Sequence, residues 1–276
     1  GQHFGDLLAV HGELPVQRFP GLYKNMGPQY VRGIVEGNGN PPGEDLWVTY
    51  SVNKEDIWIS RIPVPVQGVA PDGPVKDDFQ NGTPGELPQG WNIYRPVWAP
   101  VDIVDAGDDH GPALQLKDED PFDYAAATRV FPSTRSALIR FNVLAKQLYG
   151  RLEIDVLGAD GSRPVQVAFT REGKIEARHE GVWKPAGSYP ADQWIAVEID
   201  VNPGNNTERY QLRINGKEVL YRIAYFSEFP KAVERLTFRT GEYRLRGDGG
   251  HELPGADEKA PTQTFLIDDL SIVQRP

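Results

Sequence analysis

The chain has 276 residues, of which 39% are apolar and 25% charged, and a formal net charge of −10. That acidic balance excludes the basic footprint a nucleic-acid partner needs and works against binding to an anionic membrane surface. No run approaches the ~18 consecutive apolar residues of a membrane span. There is no cysteine, which removes disulfides, thiolate metal sites and cysteine nucleophiles. The 29 glycines and 24 prolines are scattered, not repeated, so they read as turn punctuation between short strands. The sequence opens at Gly1 without an initiator Met or a signal peptide, as expected of a processed or trimmed N-terminus.

Two unequal parts are predicted. Residues 1–66 carry 5 basic and 7 acidic side chains, and residues 67–276 carry 24 and 32. The join is the Pro- and Gly-rich stretch 67–74, which with Pro63 and Pro65 makes an extended, semi-stiff connector. In the first part, strands are predicted at 6–10, 29–35, 46–51 and 56–61. Leu46, Val48 and Tyr50 alternate with Trp47 and Thr49 at period two. Residues 52–55 are a hairpin-length link, so the four strands form one antiparallel sheet. A lone sheet of this size has one face with nothing to pack on.

In the second part, strands are predicted at 75–79, 91–94, 101–105, 113–117, 125–131, 136–144, 150–157, 164–170, 174–179, 181–185, 193–201, 210–214, 217–221, 232–240 and 264–273. Turn signals separate them, the strongest being Asn215-Gly216 between two alternating runs. A single short helical turn is expected at 227–233. Many short strands at near-regular spacing predict an all-β, two-sheet antiparallel sandwich of the jelly-roll type over 75–276.

Tyr30-Val31-Arg32-Gly33-Ile34, followed by the run from Trp47 through Asn53-Lys54-Glu55-Asp56-Ile57-Trp58 to Pro65, resembles the last blade of a sialidase-like β-propeller glycosidase. The rest resembles the concanavalin-like, lectin-like jelly roll appended to such propellers. It does so through Asp77-Asp78-Phe79, Leu87-Pro88-Gln89-Gly90-Trp91, the run Asp118-Glu119-Asp120-Pro121-Phe122-Asp123-Tyr124-Ala125, and Phe265-Leu266-Ile267-Asp268-Asp269-Leu270. A propeller needs at least about four blades to close, and one is here. The resemblance therefore implies the C-terminal segment of a longer glycoside hydrolase, secreted, periplasmic or at the cell surface. Its first part is expected to pack on the jelly roll, or to complete a sheet with the missing N-terminal propeller or another chain.

Candidate chemistry is spread along the chain. Tyr30 and Arg32 are predicted to share a strand face near Glu36. An Arg fork suits the carboxylate of an acidic sugar, and a Tyr or acid beside it could assist cleavage; the alternative is an Arg salt-bridged within the blade. His3, Asp6 and His11 show no metal-ligand spacing and read as surface groups. Asp118, Glu119, Asp120 and Asp123 could hold calcium or, as the structural reading has it, cap a turn and pair with Arg129 or Arg239. Asp77, Asp78, Asp268 and Asp269 come from the first and last strands of the sandwich. If those strands are neighbours, the four carboxylates call for a cation or an Arg, and a structural calcium there is one reading. Arg239, Glu242, Tyr243, Arg244 and Arg246, with His179 and His251 available, resemble part of a polysaccharide-lyase set. Trp98 and Trp183, with Tyr189, Tyr243 and Arg244, are the predicted sugar-binding side chains, while Trp91 and Trp194 are predicted in the core.

Three functions follow. The first is the C-terminal segment of a sialidase-like glycoside hydrolase, with a jelly-roll accessory domain and a poly- or oligosaccharide partner. The second is a non-catalytic carbohydrate-binding or structural module. The third is a jelly-roll lyase acting on an acidic polysaccharide.

Overall fold

The computed structural model describes residues 22–25, 27–33, 45–62, 73–107, 110–158, 161–202, 208–226, 228, 230–241, 255 and 258–275. The chain divides into two compact units. One comprises Gly1–Val69, Pro121–Asp123 and Arg244–Glu258; the other comprises Ala70–Asp120, Tyr124–Tyr243 and Lys259–Pro276.

In the first unit, β1 (Pro28–Gly33), β2 (Leu46–Val52) and β3 (Asp56–Ile62) form an antiparallel sheet with β2 in the middle. The fourth predicted strand, 6–10, lies outside the described residues. Asn53 and Lys54 take left-handed φ values of 55°, the conformation that closes a tight hairpin. Gly27 sits against this hairpin, exchanging hydrogen bonds with Asn53: its N–H donates to Asn53 Oδ1 at 2.8 Å, and its carbonyl accepts from Asn53 N at 3.1 Å.

The second unit is a two-sheet sandwich. Its strands are β4 (Val75–Asp77), β5 (Trp91–Tyr94), β6 (Val101–Asp105), β7 (Pro112–Asp118), β8 (Ala126–Thr134), β9 (Ala137–Ala145), β10 (Leu152–Leu157), β11 (Val165–Phe169), β12 (Lys174–His179), β13 (Val182–Ser188), β14 (Trp194–Val201), β15 (Arg209–Ile214), β16 (Lys217–Tyr225), β17 (Val233–Thr240) and β18 (Gln263–Gln274). One sheet has the order β13-β12-β11-β10-β17-β8-β5. The other has the order β16-β15-β14-β9-β18-β7-β6, with β4 added on β18. Non-sequential neighbours such as β10 and β17 give the jelly-roll connectivity. No helix occurs among the described residues. Of the turn expected at 227–233, residues 227 and 229 lie outside the described residues, and Val233 is paired in a strand, opposite Thr134.

Period-two alternation builds the core. Ile139, Phe141 and Val143 of β9, Ile195, Val197 and Ile199 of β14, Leu152, Ile154 and Val156 of β10, and Leu236 and Phe238 of β17 all face inward and are buried. Fully burying one such side chain stabilises by about 1.5–3 kcal/mol. Asn215 and Gly216 form a two-residue turn with Ile214 opposite Lys217, both at positive φ, as the Asn-Gly signal requires.

One irregularity shapes the outer surface. In β18 the register against β9 slips between Asp268 and Ser271, and Asp269 has φ 53°. Before this bulge Phe265 and Ile267 point into the core; after it Leu270 and Ile272 do.

Candidate functional site

The alternation that sends Leu152, Ile154 and Val156 inward sends Glu153 and Asp155 to the outward face of the seven-stranded sheet. Pairing then sets their neighbours. Glu153 stands opposite Arg239 of β17 and Ala168 of β11; Asp155 stands opposite Thr237 and Gln166. Arg163, just before β11, reaches back over both acids.

These side chains form one connected network. Glu153 Oε2 accepts from Arg239 Nη2 at 2.6 Å and from Arg163 Nη2 at 3.3 Å. Asp155 Oδ2 accepts from Arg163 Nη2 at 2.7 Å and Nε at 3.1 Å. Arg151 Nε donates to Glu153 Oε1 at 2.9 Å. Arg178 Nη1 donates to Gln166 Oε1, and Gln166 Nε2 to the Arg163 carbonyl, both at 2.9 Å. Glu153, Asp155, Arg163, Gln166, Thr237 and Arg239 are all buried, Arg239 to 1% exposure. Burial pushes the Asp155 pKa up while Arg163 and Arg239 oppose the rise. Its other oxygen, Oδ1, is buried and accepts no hydrogen bond among the described residues.

Two aromatic rings border this polar floor. Trp183, half-buried on β13, has the guanidinium groups of Arg151 and Arg178 at 5.1 and 5.4 Å from its ring. Tyr124 lies 5.6 Å from the Arg239 guanidinium and packs on Tyr94. At the same end of the sandwich, Asp118 of β7 reaches across to the other sheet. Its carboxylate accepts from Thr240 Oγ1 at 2.7 Å, Gln263 Nε2 at 3.1 Å and the Asp120 N–H at 2.8 Å. Burial raises the Asp118 pKa to about 6. Glu119 turns outward and is held by Lys259, Lys117 and Thr262, which lower its pKa to about 2. Arg239 pairs with Glu153, and Arg129 pairs with Asp77.

The other predicted residues are dispersed. Tyr30 and Arg32 are exposed on β1. The register there slips, so Tyr30 and Val31 together face the single residue Tyr50, which interrupts the alternation expected to align Tyr30 with Arg32. Glu36, Tyr243, Arg244, Glu242, Arg246, His3, Asp6, His11 and His251 lie outside the described residues. Tyr189, expected as a sugar-binding surface residue, is buried; its ring packs on Phe169 and its hydroxyl donates to the Thr170 carbonyl at 2.7 Å. Trp98 is half-buried. Trp91 is in the core as expected, but Trp194 is only half-buried and stacks on His110 with ring centroids 4.1 Å apart.

The four carboxylates expected to share a calcium also separate. The end strands are neighbours as anticipated, with Asp77 opposite Leu270. Asp77 Oδ2, however, accepts from Arg129 Nε at 2.8 Å and Trp91 Nε1 at 3.1 Å, and Asp78 caps the turn at Gln80. Asp268 and Asp269 instead approach His110. Among the described residues no histidine stands on the network face beside Arg239 and Gln166: His179 falls in the inward phase of β12, and His110 lies beside the other sheet.

Of the two rings, Tyr124 is buried, whereas Trp183 is half-buried beside Arg151 and Arg178. The sialidase-like CBM domain family matches residues 91–252. The chain belongs to that family. A solved sialidase is 36% identical, with TM-score 0.82 over 96% of this chain and 24% of its own length, so the chain spans about a quarter of that sialidase. The apo Crh5 transglycosylase is 14% identical with TM-score 0.50, covering 74% of this chain and 85% of its own, a likeness of fold alone. The alginate lyase Aly36B is 15% identical with TM-score 0.49, covering 73% of this chain and 97% of its own. No curated protein sequence matches the chain.

Glu153, Asp155 and Arg163 were not singled out in the sequence. The alternating Leu152-Glu153-Ile154-Asp155-Val156 was the available signal, since it marks two acids on one face. Nothing local shows that Arg163 and Arg239 would close over them.

Proposed function

We propose that the sandwich is a non-catalytic carbohydrate-binding module of a sialidase-type glycoside hydrolase, and that it holds a glycan on the outward face of the seven-stranded sheet. The observation that carries this reading is the half-buried Trp183 ring, set beside the Arg151 and Arg178 guanidinium groups above the buried network. The network beneath fixes Arg151 and Arg178 in place, and Trp183 supplies an aromatic surface on which a sugar ring can stack. A preorganised polar site costs little ordering entropy when a sugar binds. Membership of the sialidase-like CBM family supports the same reading.

The three-stranded sheet is, on this reading, part of a propeller blade completed by the rest of the enzyme. Ile57 and Ile59, 81% and 58% exposed on one face of β3, support a further packing partner. Catalysis would then draw on several blades, with Tyr30, Arg32 and Glu36 as this chain's contribution. Such an enzyme acts outside the cytoplasm, on glycans at a surface or in the periplasm.

The test is calorimetric and glycan-array binding of the chain as it stands, alongside Trp183→Ala. Saturable binding of a defined glycan that weakens in the variant supports the assignment. An unchanged affinity in Trp183→Ala moves the site elsewhere, and no binding across a broad panel that includes sialylated and uronate sugars refutes the module.

A further inference from the structure

A second cluster lies on the opposite side of the sandwich. His110 Nδ1 is 2.7 Å from Asp268 Oδ2 and 3.7 Å from Asp269 Oδ2, and one ligand atom from each of the three residues lies within 4.8 Å of the others. The β18 bulge makes this possible. Regular alternation would send one of two successive aspartates into the core, but the slip at Asp269 leaves Leu270 to point inward and keeps both carboxylates outside it. His110 is held from behind by its stack on Trp194 and by Gln80 Nε2, which donates to its carbonyl at 2.6 Å.

An independent feature distinguishes this cluster from a surface ion pair. Asp268 is only 1% exposed, and its second oxygen, Oδ1, is buried without a hydrogen-bond partner among the described residues. Oδ1 shares its carboxylate with the oxygen that faces His110. A buried carboxylate with an unsatisfied oxygen, one residue from a second carboxylate, carries a desolvation penalty that a directly bonded cation removes. The neighbouring cation on this face, Arg140, is engaged by Glu198 at 2.7 Å. Asn142 Nδ2 orients Asp269 by donating to its Oδ2 at 2.8 Å.

We propose that His110, Asp268 and Asp269 form a binding site for a first-row transition-metal dication, with Zn²⁺ the best match. An imidazole nitrogen among the donors points away from calcium, which takes all-oxygen shells, and toward zinc. Bonds of ~2.0–2.2 Å place tetrahedral ligands roughly 3.3 Å apart. The metal would therefore replace the proton between His110 Nδ1 and Asp268 Oδ2, opening the 2.7 Å contact and closing the 3.7 Å one by about half an ångström each. Asp269 is 57% exposed, which leaves the solvent side open to water ligands. Of the four aspartates expected to share a structural calcium, Asp268 and Asp269 stay in the site; Asp77 is neutralised by Arg129, and Asp78 caps a turn.

The experiment uses the full chain, stripped with a chelator and titrated with Zn²⁺, Co²⁺ or Ca²⁺ by calorimetry and tryptophan emission. The expected result is one Zn²⁺ per chain with a raised melting temperature, Co²⁺ quenching of emission through the His110–Trp194 stack, and a weaker response to Ca²⁺. His110→Ala should lower Zn²⁺ affinity at least a hundredfold. Asp269→Asn keeps the exposed position polar and should lower it about tenfold, so the test survives if His110→Ala does not fold. No uptake, uptake undiminished in Asp269→Asn, or a preference for Ca²⁺ would overturn the proposal.

Discussion

The two outward faces of the sandwich are built from the same residue types on the same strand alternation, yet they hold charge differently. On the seven-stranded sheet, Glu153, Asp155, Arg163 and Arg239 are buried and bonded to one another. On the eight-stranded sheet, Glu198 pairs with Arg140 at 2.7 Å and with Arg213, and the two guanidinium groups are about half and one-third exposed. There, burial works to raise the Glu198 pKa, but hydrogen bonds from Arg140 and Arg213 outweigh it and the pKa falls. Asp155 goes the other way because desolvation wins. An ion pair is thus defined less by its partners than by what excludes water from it.

The strongest way to break the comparison is to remove one acid from the buried face. Glu153→Ala leaves Arg239 and Arg163 short of a counter-charge, and the expected loss is about 3–5 kcal/mol in urea unfolding. A loss below 1 kcal/mol would mean that water reaches the network and that the two faces are alike.

The next test uses pH. Asp118 keeps its proton up to about pH 6 in the fold, against an ordinary value of 3.8. Between these values the unfolded chain releases a proton that the folded chain retains. This contribution is therefore fully present below about pH 4 and is lost as pH rises to about 6, by about 3 kcal/mol. Asp118→Asn should flatten that part of the profile when urea midpoints are compared at pH 4 and pH 7; an identical pH dependence in the variant would show that Asp118 ionises freely.

A smaller effect is expected at the rim. Trp183→Ala should weaken glycan binding about tenfold, or ~1.4 kcal/mol, with the melting temperature little changed, because the ring is only half-buried. The smallest effect belongs to the exposed face. Glu198→Ala should cost at most about 1 kcal/mol and should cost less at high salt. A loss there as large as that of Glu153→Ala would erase the contrast between the faces.

Much of the fold was legible before the structure. The alternation in β9, β10, β14 and β17 and the Asn215-Gly216 turn identified strands and their inward faces, because burial on one side of a pleat imposes period two. The bulges were not legible. Asp268-Asp269 reads as ordinary alternation with one carboxylate inward, and Tyr30-Val31-Arg32 as two residues sharing a face; each reading fails where one extra residue is accommodated against a partner strand. Tyr189 shows the same limit. It flanks a turn in sequence, but the chain folds it onto Phe169.

The sequence by itself determined the all-β class, most of the strand positions among the described residues, the acidic balance and the absence of cysteine chemistry, since these depend on composition and on neighbours a few residues apart. The tertiary structure alone decided which charges meet. Glu153 and Arg239 are 86 residues apart, and His110 and Asp268 are 158 apart. Such pairs are created by strand order and register, which follow from the whole core packing at once and not from any local pattern.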